Sequence, residues 1–256
     1  MEQNNPQKAH FERVHDLYSA HYYDVLSMRY REEFVYGPLF QGIDLNNKDV
    51  LDLASGGGAN TQALLKRFPG ARFTGCDISE KACADYLAET GCPSFQADLT
   101  KPLKHQKVYD MVVVLSALHH CVTNLPVVLE NVYKLLKPEG YFLMFEPNSR
   151  CFLECVRKFW YKHDPSFEAE SEASLDHDHL LHMANDRGNR FTAEMIKYFG
   201  GPAFYLIYNS MIFRVPLGLK PIIAPPLTFC ERIYNKLPWK WLHSSFLAQW
   251  RKLPLS

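Results

Sequence analysis

Residues 50–58 read Val-Leu-Asp-Leu-Ala-Ser-Gly-Gly-Gly. The run Val50-Leu51-Asp52-Leu53 has the composition of a buried strand, yet it holds an acid and gives way to glycine. Glycine weakens a strand and marks places where a ligand or a second backbone must come close. Three of the chain's 13 glycines stand at this one turn. A buried strand, a glycine turn and a helix through Asn60–Phe68 form the first half of a β–α–β unit, which needs a parallel sheet around it.

The rest of the chain supplies that sheet. Arg72–Ser79 predicts a second strand, and Ser79 is placed to cap a helix over 80–90 that stops at Gly91. Residues 94–99 give a third strand. Tyr109–Ala117 is β-branched and almost wholly apolar, as a central parallel strand buried on both faces should be. Thr123 is positioned to cap a helix ending at Lys137-Pro138, and 140–147 forms a fifth strand. Beyond 148 the pattern loosens. The spacing predicts a helix at 192–199 and a strand near 203–209. Ahead of the sheet, Phe11, Val14, Tyr18, Tyr22 and Val25 recur every three or four residues and predict a helix over 8–35 with an aromatic face. The fold class expected is α/β, a doubly wound, mostly parallel sheet with helices on both faces.

At 256 residues the chain fits one enlarged α/β domain or two small ones, and the continuous pattern favours a single domain over 1–256. Its parts are an N-terminal helical cap (8–40), a core (45–150), an insertion able to act as a lid (148–190) and an aromatic, proline-rich insertion (210–245). Lys+Arg and Asp+Glu both number 28, so no cationic footprint for nucleic acid exists. No apolar run reaches the ~18 residues of a membrane-spanning helix, and the polar start lacks a signal peptide's apolar stretch. Seven cysteines, an odd number without a C-x-x-C pair, fit a reducing cytoplasm and neither a zinc nor a disulfide framework.

In an open parallel sheet, ligands sit beyond the carboxyl ends of the strands. Asp52 and the glycine turn end the first strand, Asp77 ends the second and Asp98 the third. Asp77 suits the two hydroxyls of a ribose, Asp98 an exocyclic amine such as that of adenine. Read as a dinucleotide fingerprint, Gly56-x-Gly58-x-x-Thr61 lacks its third glycine, and Asp52 would repel a pyrophosphate while attracting an ammonium. These features favour S-adenosylmethionine over a nicotinamide cofactor.

The same segments resemble the class I S-adenosylmethionine-dependent methyltransferases over roughly 45–150. VLDLASGGG is similar to that family's first motif, GCDIS to its second, QADL to its third, and YDMVVVLSALHH and LLKPEGYFLMFEP to its fourth and fifth strand blocks. The resemblance implies strand order 3-2-1-4-5-7-6, with the sixth strand near 203–209 and the seventh near 246–252. It implies a cofactor site of Asp52, Ala54, Ser55, Gly56, Gly58, Asp77, Ile78, Asp98, Leu99 and Leu115. Ala54 departs from the family's usual glycine, and a slightly altered turn is expected there.

His119 and His120 follow the fourth strand and are the candidate catalytic pair, either as a base or as packing groups. Tyr18, Tyr22, His120 and Glu146 are the candidate substrate contacts, with Tyr23 on the same aromatic helix. In-line displacement draws much of its acceleration from positioning, so a base is not required. His177, Asp178, His179 and His182 have a spacing that metals use, but their acidic surroundings read first as a solvated face, and no metal site is assigned. The strand-four sequence lacks the Asn/Asp-Pro-Pro-Tyr pattern used on base nitrogens, which argues against a nucleic-acid substrate. The function expected is methyl transfer to a small, partly apolar metabolite. A non-catalytic cofactor-binding or regulatory protein is the alternative, and a dinucleotide oxidoreductase is less favoured. Residues 221–250, with Trp239, Trp241 and Trp250 among prolines, read first as core packing and second as a peripheral membrane contact or dimer face. Oligomeric state is left open.

Overall fold

The computed structural model describes residues 22–161, 173–208, 215–216 and 218–254. Tyr18, the first half of the expected 8–35 helix and residues 162–172 of the expected 148–190 insertion lie outside them. Chain order runs α1 (Val25–Arg31), a wide helical turn (Glu32–Tyr36), α2 (Gly37–Leu39), β1 (Asp49–Leu53), α3 (Ala59–Arg67), β2 (Arg72–Asp77) and α4 (Glu80–Thr90). There follow β3 (Ser94–Gln96), β4 (Tyr109–Leu115), α5 (Leu125–Leu135), β5 (Leu136–Pro147), α6 (Glu154–Tyr161) and α7 (His177–Asp186). The chain closes with β6 (Phe191–Phe199), a helical turn at Phe204–Tyr208, α8 (Lys220–Tyr234) and β7 (Ser245–Lys252).

The seven strands lie in the order β3-β2-β1-β4-β5-β7-β6. β1 to β5 pair in parallel, and β7 runs antiparallel to both β5 and β6. Both faces are covered, and β4 shows the period of two that results. Val112 and Val114 pack with Leu129 and Val132 of α5 and with Trp250 of β7. Val113 and Leu115 face the other way, into a layer with Tyr30, Tyr36, Leu39 and Leu64. The N-terminal segment is therefore part of the core.

Local chemistry explains most boundaries. Ser79 accepts from the Ala82 N–H at 3.2 Å, and Gly91 closes α4 at φ +68. Three expectations are corrected. Thr123 is not a cap: it lies in a 3-10 turn, and Asn124 occupies the N-cap position without a side-chain capping bond, its amide donating to Thr100 O at 2.7 Å. Residues 192–199 are strand, not helix. Phe191, Met195 and Phe199 match a helical repeat, but the segment pairs along β7, with a register shift at Ala193/Met195 that breaks the alternation. The sixth strand is accordingly 191–199, and the described part of 203–209 holds the helical turn Phe204–Tyr208. Glu231, distant in sequence, accepts from the Gly201 and Ala203 N–H groups at 2.7 and 3.0 Å, so a long-range carboxylate supplies that turn's cap. β5 also begins earlier than expected, Leu136 pairing with Tyr109.

Candidate active site

β1 delivers the chain to the carboxyl edge of the sheet, where Ala54 takes the left-handed conformation at φ +54. The Ser55 N–H donates to Cys76 O at 3.0 Å, tying the turn to β2. Gly56 follows at φ +53, where a Cβ would stand in open space. Gly58 differs: at φ +86 its Cβ would meet Thr90 Cγ2 at 2.7 Å and Tyr86 Cδ2 at 3.0 Å. Gly56 keeps a ligand's approach open, whereas Gly58 lets α3 start against α4.

Asp77 joins the two ligand-facing turns. Its Oδ2 accepts from the Gly56 N–H and its Oδ1 from the Ser79 N–H, both at 2.9 Å. Above it opens a cavity of about 540 Å3, in the range that holds a cofactor-sized ligand. The glycine turn forms its floor, Asp77 one rim, and Ile78, Leu99 and Leu115 its apolar walls. Asp98 lines it too, with Oδ1 accepting from the Thr100 N–H and hydroxyl at 3.0 and 2.6 Å and Oδ2 facing Lys101 at 3.0 Å. Desolvation tends to raise the Asp98 pKa, but the bonds from Thr100 and Lys101 outweigh it and hold the carboxyl below its usual range.

Asp52 and Gly58 do not line this cavity. Asp52 is 2% exposed and accepts from the Thr61 hydroxyl at 2.6 Å. Burial pushes its carboxyl up to about 7, with the Asp77 charge adding to the rise and the Thr61 bond opposing it. Around it lies a polar layer that sequence reasoning missed: Asn60 accepts from Tyr36 OH at 2.6 Å and from Arg31 at 3.2 Å. Tyr23, not Tyr22, reaches the cavity wall, with the Arg31 guanidinium 5.2 Å from its ring centroid. Helical spacing alone gave no way to choose between adjacent tyrosines.

The two histidines part company. His120 lines the cofactor-sized cavity. His119 is buried and lines a second, small cavity of about 60 Å3 with Asn148, Cys151, Arg157 and Tyr205. Ser116, at φ +67, borders both. Glu146 lines neither. Wholly buried, it accepts from the Ala117, Leu118 and His119 N–H groups at 2.9, 2.8 and 3.3 Å and lies 2.9 Å from His119 Nδ1. Burial pushes Glu146 up to about 7, against the pull of those backbone donors and the His120 charge. A group surrounded by donors is arranged as a carboxylate.

His177 is also buried, and it accepts from Trp250 Nε1–H at 3.0 Å. It belongs to the core, not to the solvated face expected for 176–182. Among the described residues no group of three or more His, Cys, Asp or Glu side chains could hold a metal. No described helix is long and apolar enough to cross a membrane.

Residues 51–142 match the family described as a methyltransferase domain. A stretch of 102 residues is 30% identical to a probable phthiotriol/phenolphthiotriol dimycocerosates methyltransferase 2 of Mycobacterium ulcerans, covering 39% of each chain. The match thus spans about two fifths of that relative's length. Among solved structures, a protein of Pyrococcus horikoshii superposes with a TM-score of 0.61 at 19% identity, over 94% of this chain and 98% of that one. A SAM-dependent methyltransferase of Archaeoglobus fulgidus gives 0.58 at 17% identity, over 93% and 99%. Residues 51–142 therefore carry a methyltransferase domain, and the chain as a whole shares the fold of a structure described as a SAM-dependent methyltransferase, whose cofactor is S-adenosylmethionine.

The residues present fit that cofactor. The carboxylate rim at Asp77 suits a ribose diol, and the apolar walls suit a planar base. A floor with acids nearby and a glycine left open suits a cationic amino-acid end better than a pyrophosphate.

Proposed function

We propose that this protein transfers the methyl group of S-adenosylmethionine to a small, partly apolar acceptor bearing an ionisable O–H or N–H. The observation that carries the proposal is the sharing of Ser116 by a cofactor-sized cavity and a small one with a buried histidine on its wall. In this reading Asp77 takes the ribose hydroxyls, Ile78 and Leu99 enclose the adenine, and Asp98 receives its amine. Ala54, Ser55 and Gly56 run along the amino-acid end, Leu115 closes the inner wall, and Asp52 lies beneath the ammonium. Gly58 contributes by seating α3. Bound there, S-adenosylmethionine supplies an electrophilic methyl group on a sulfonium.

The protein's part is to place the acceptor and handle its proton. Glu146 accepts the Nδ1–H of His119, which leaves Nε2 as the basic nitrogen of the ring. His120 forms the wall between the cofactor and the acceptor. Tyr23 closes the outer side, and its exclusion of water strengthens the polar contacts within. Seven free thiols fit a reducing compartment such as the cytoplasm.

The test is formation of S-adenosylhomocysteine with a panel of small phenols, alcohols and amines. Turnover with one class, reduced at least about tenfold in His119→Ala at unchanged cofactor affinity, supports the reading. Cofactor binding without turnover on any acceptor would favour a regulatory protein instead.

A further inference from the structure

α6 has its polar and apolar sides reversed. Glu154 and Arg157 line the small cavity beside His119, together with Leu153 just ahead of the helix. Val156 and Phe159, with Phe152 before them, are 49, 63 and 50% exposed. Their spacing of four and three places them on one stripe. A helix packed on a core in water ordinarily turns such a stripe inward.

α8 repeats the feature. Ala224 and Glu231 hold one side to the core, whereas Ile222, Phe229 and Ile233 are 72, 61 and 56% exposed. Trp239 and Trp241 follow, each about half exposed and flanking Lys240. The two regions meet: the Phe152 N–H donates to Trp241 O at 2.9 Å, and their rings pack edge to face at 5.8 Å. Large connected apolar surfaces mark interaction sites.

Charge indicates what covers this one. Of the seven Lys and Arg in segments 150–161 and 219–242, Arg150, Arg157, buried Lys220 and Arg232 pair with Asp176, Glu154, Asp24 and Glu33, which leaves Lys158, Lys236 and Lys240 as the cations beside the apolar stripe. The two carboxylates of these segments, Glu154 and Glu231, point inward. Lys158 and Lys236 are exposed, and Lys240 reaches Asp178 at 3.6 Å. Tryptophans beside lysines on an apolar stripe are the makeup of a surface that rests in a lipid headgroup layer.

We propose that this face docks on a bilayer carrying anionic headgroups. Phe152, Val156, Phe159, Ile222, Phe229 and the two tryptophans enter the interface, and Lys158, Lys236 and Lys240 meet the phosphates. The protein rests on the membrane without spanning it. Because Cys151 and Arg157 line the small cavity, docking brings the acceptor side of the molecule to the lipid surface. Membrane binding does not depend on methyl transfer, so the two proposals stand or fall separately.

The experiment is vesicle flotation of the full chain without cofactor, using phosphatidylcholine alone and equal parts phosphatidylcholine and phosphatidylserine. Wild type is expected to float with the mixed vesicles, at least about fivefold less with phosphatidylcholine alone, and to be released by salt. The double variant Trp239→Ser/Trp241→Ser should bind about tenfold more weakly with an unchanged melting temperature. The triple variant Lys158→Glu/Lys236→Glu/Lys240→Glu should lose the preference for phosphatidylserine. No flotation of folded wild type with either vesicle would overturn the proposal. So would a stable dimer in sedimentation that the tryptophan variant dissociates, because a second copy would then occupy the face.

Discussion

Glu146 Oε2 lies 2.9 Å from His119 Nδ1, and the same carboxyl group accepts three backbone N–H groups of the turn that carries the histidine. The acid ending β5 thus fixes both the ring and the loop after β4. Glu146→Gln puts an amide NH2 where only donors face it. It should lower kcat by about 100-fold while the cofactor Kd stays within about threefold. Steady-state kinetics paired with calorimetry separates this from a general loss of structure, which would weaken both.

The fully buried acid beneath the glycine turn trades stability for binding. Burial raises the Asp52 pKa from an ordinary carboxylate's 3.8 to about 7. A carboxyl that holds its proton more tightly when folded stabilises the protein fully below its unfolded pKa. That contribution is lost as pH rises through the folded value. Asp52→Asn stays neutral throughout and keeps an acceptor for Thr61. Its melting temperature should exceed wild type by about 4 °C near pH 8, with the gap shrinking toward pH 5. Its affinity for S-adenosylmethionine should fall. Equal melting curves at both pH values would contradict this.

Two residues of the turn should respond in opposite directions. Ala54 holds a left-handed φ of +54 that glycine adopts without penalty, so Ala54→Gly should raise stability by about 0.5–1 kcal/mol. Gly58→Ala forces a Cβ to within 2.7 Å of Thr90 Cγ2 and should lose about 2 kcal/mol or more. Denaturant unfolding of the pair checks both signs.

Glu231 anchors α8 through a bond from Tyr30 OH at 2.7 Å and two backbone N–H groups. Glu231→Gln leaves an amide facing donors in the core. It should destabilise the fold by about 2–3 kcal/mol, read as a lowered urea midpoint.

How much of this was legible in the sequence depends on range. β1, β4 and the Ser79 cap rest on runs of adjacent residues, and local composition was enough to place them. The spacing within 192–199 suits a helix, and only pairing with β7 makes the segment a strand. The strand expected near 203–209 is instead a helical turn, and the carboxylate that caps it, Glu231, lies too far along the chain to leave a local signal. At the site, the acids ending β1 to β3 could be read as a set because parallel strands align their carboxyl ends. Their sharing of work could not: Asp77 lines the cavity while Asp52 lies beneath the turn. Glu146 was expected to touch substrate, but it holds His119 instead. That role depends on a neighbouring strand and leaves no local pattern.

The central claim is a cofactor site organised by Asp77, and titration calorimetry of S-adenosylmethionine and S-adenosylhomocysteine tests it most directly. Wild type should bind both in the micromolar range, and Asp77→Ala, still folded by circular dichroism, should bind at least about 30-fold more weakly. Unchanged affinity in a folded Asp77→Ala, or no binding by folded wild type, would contradict the account.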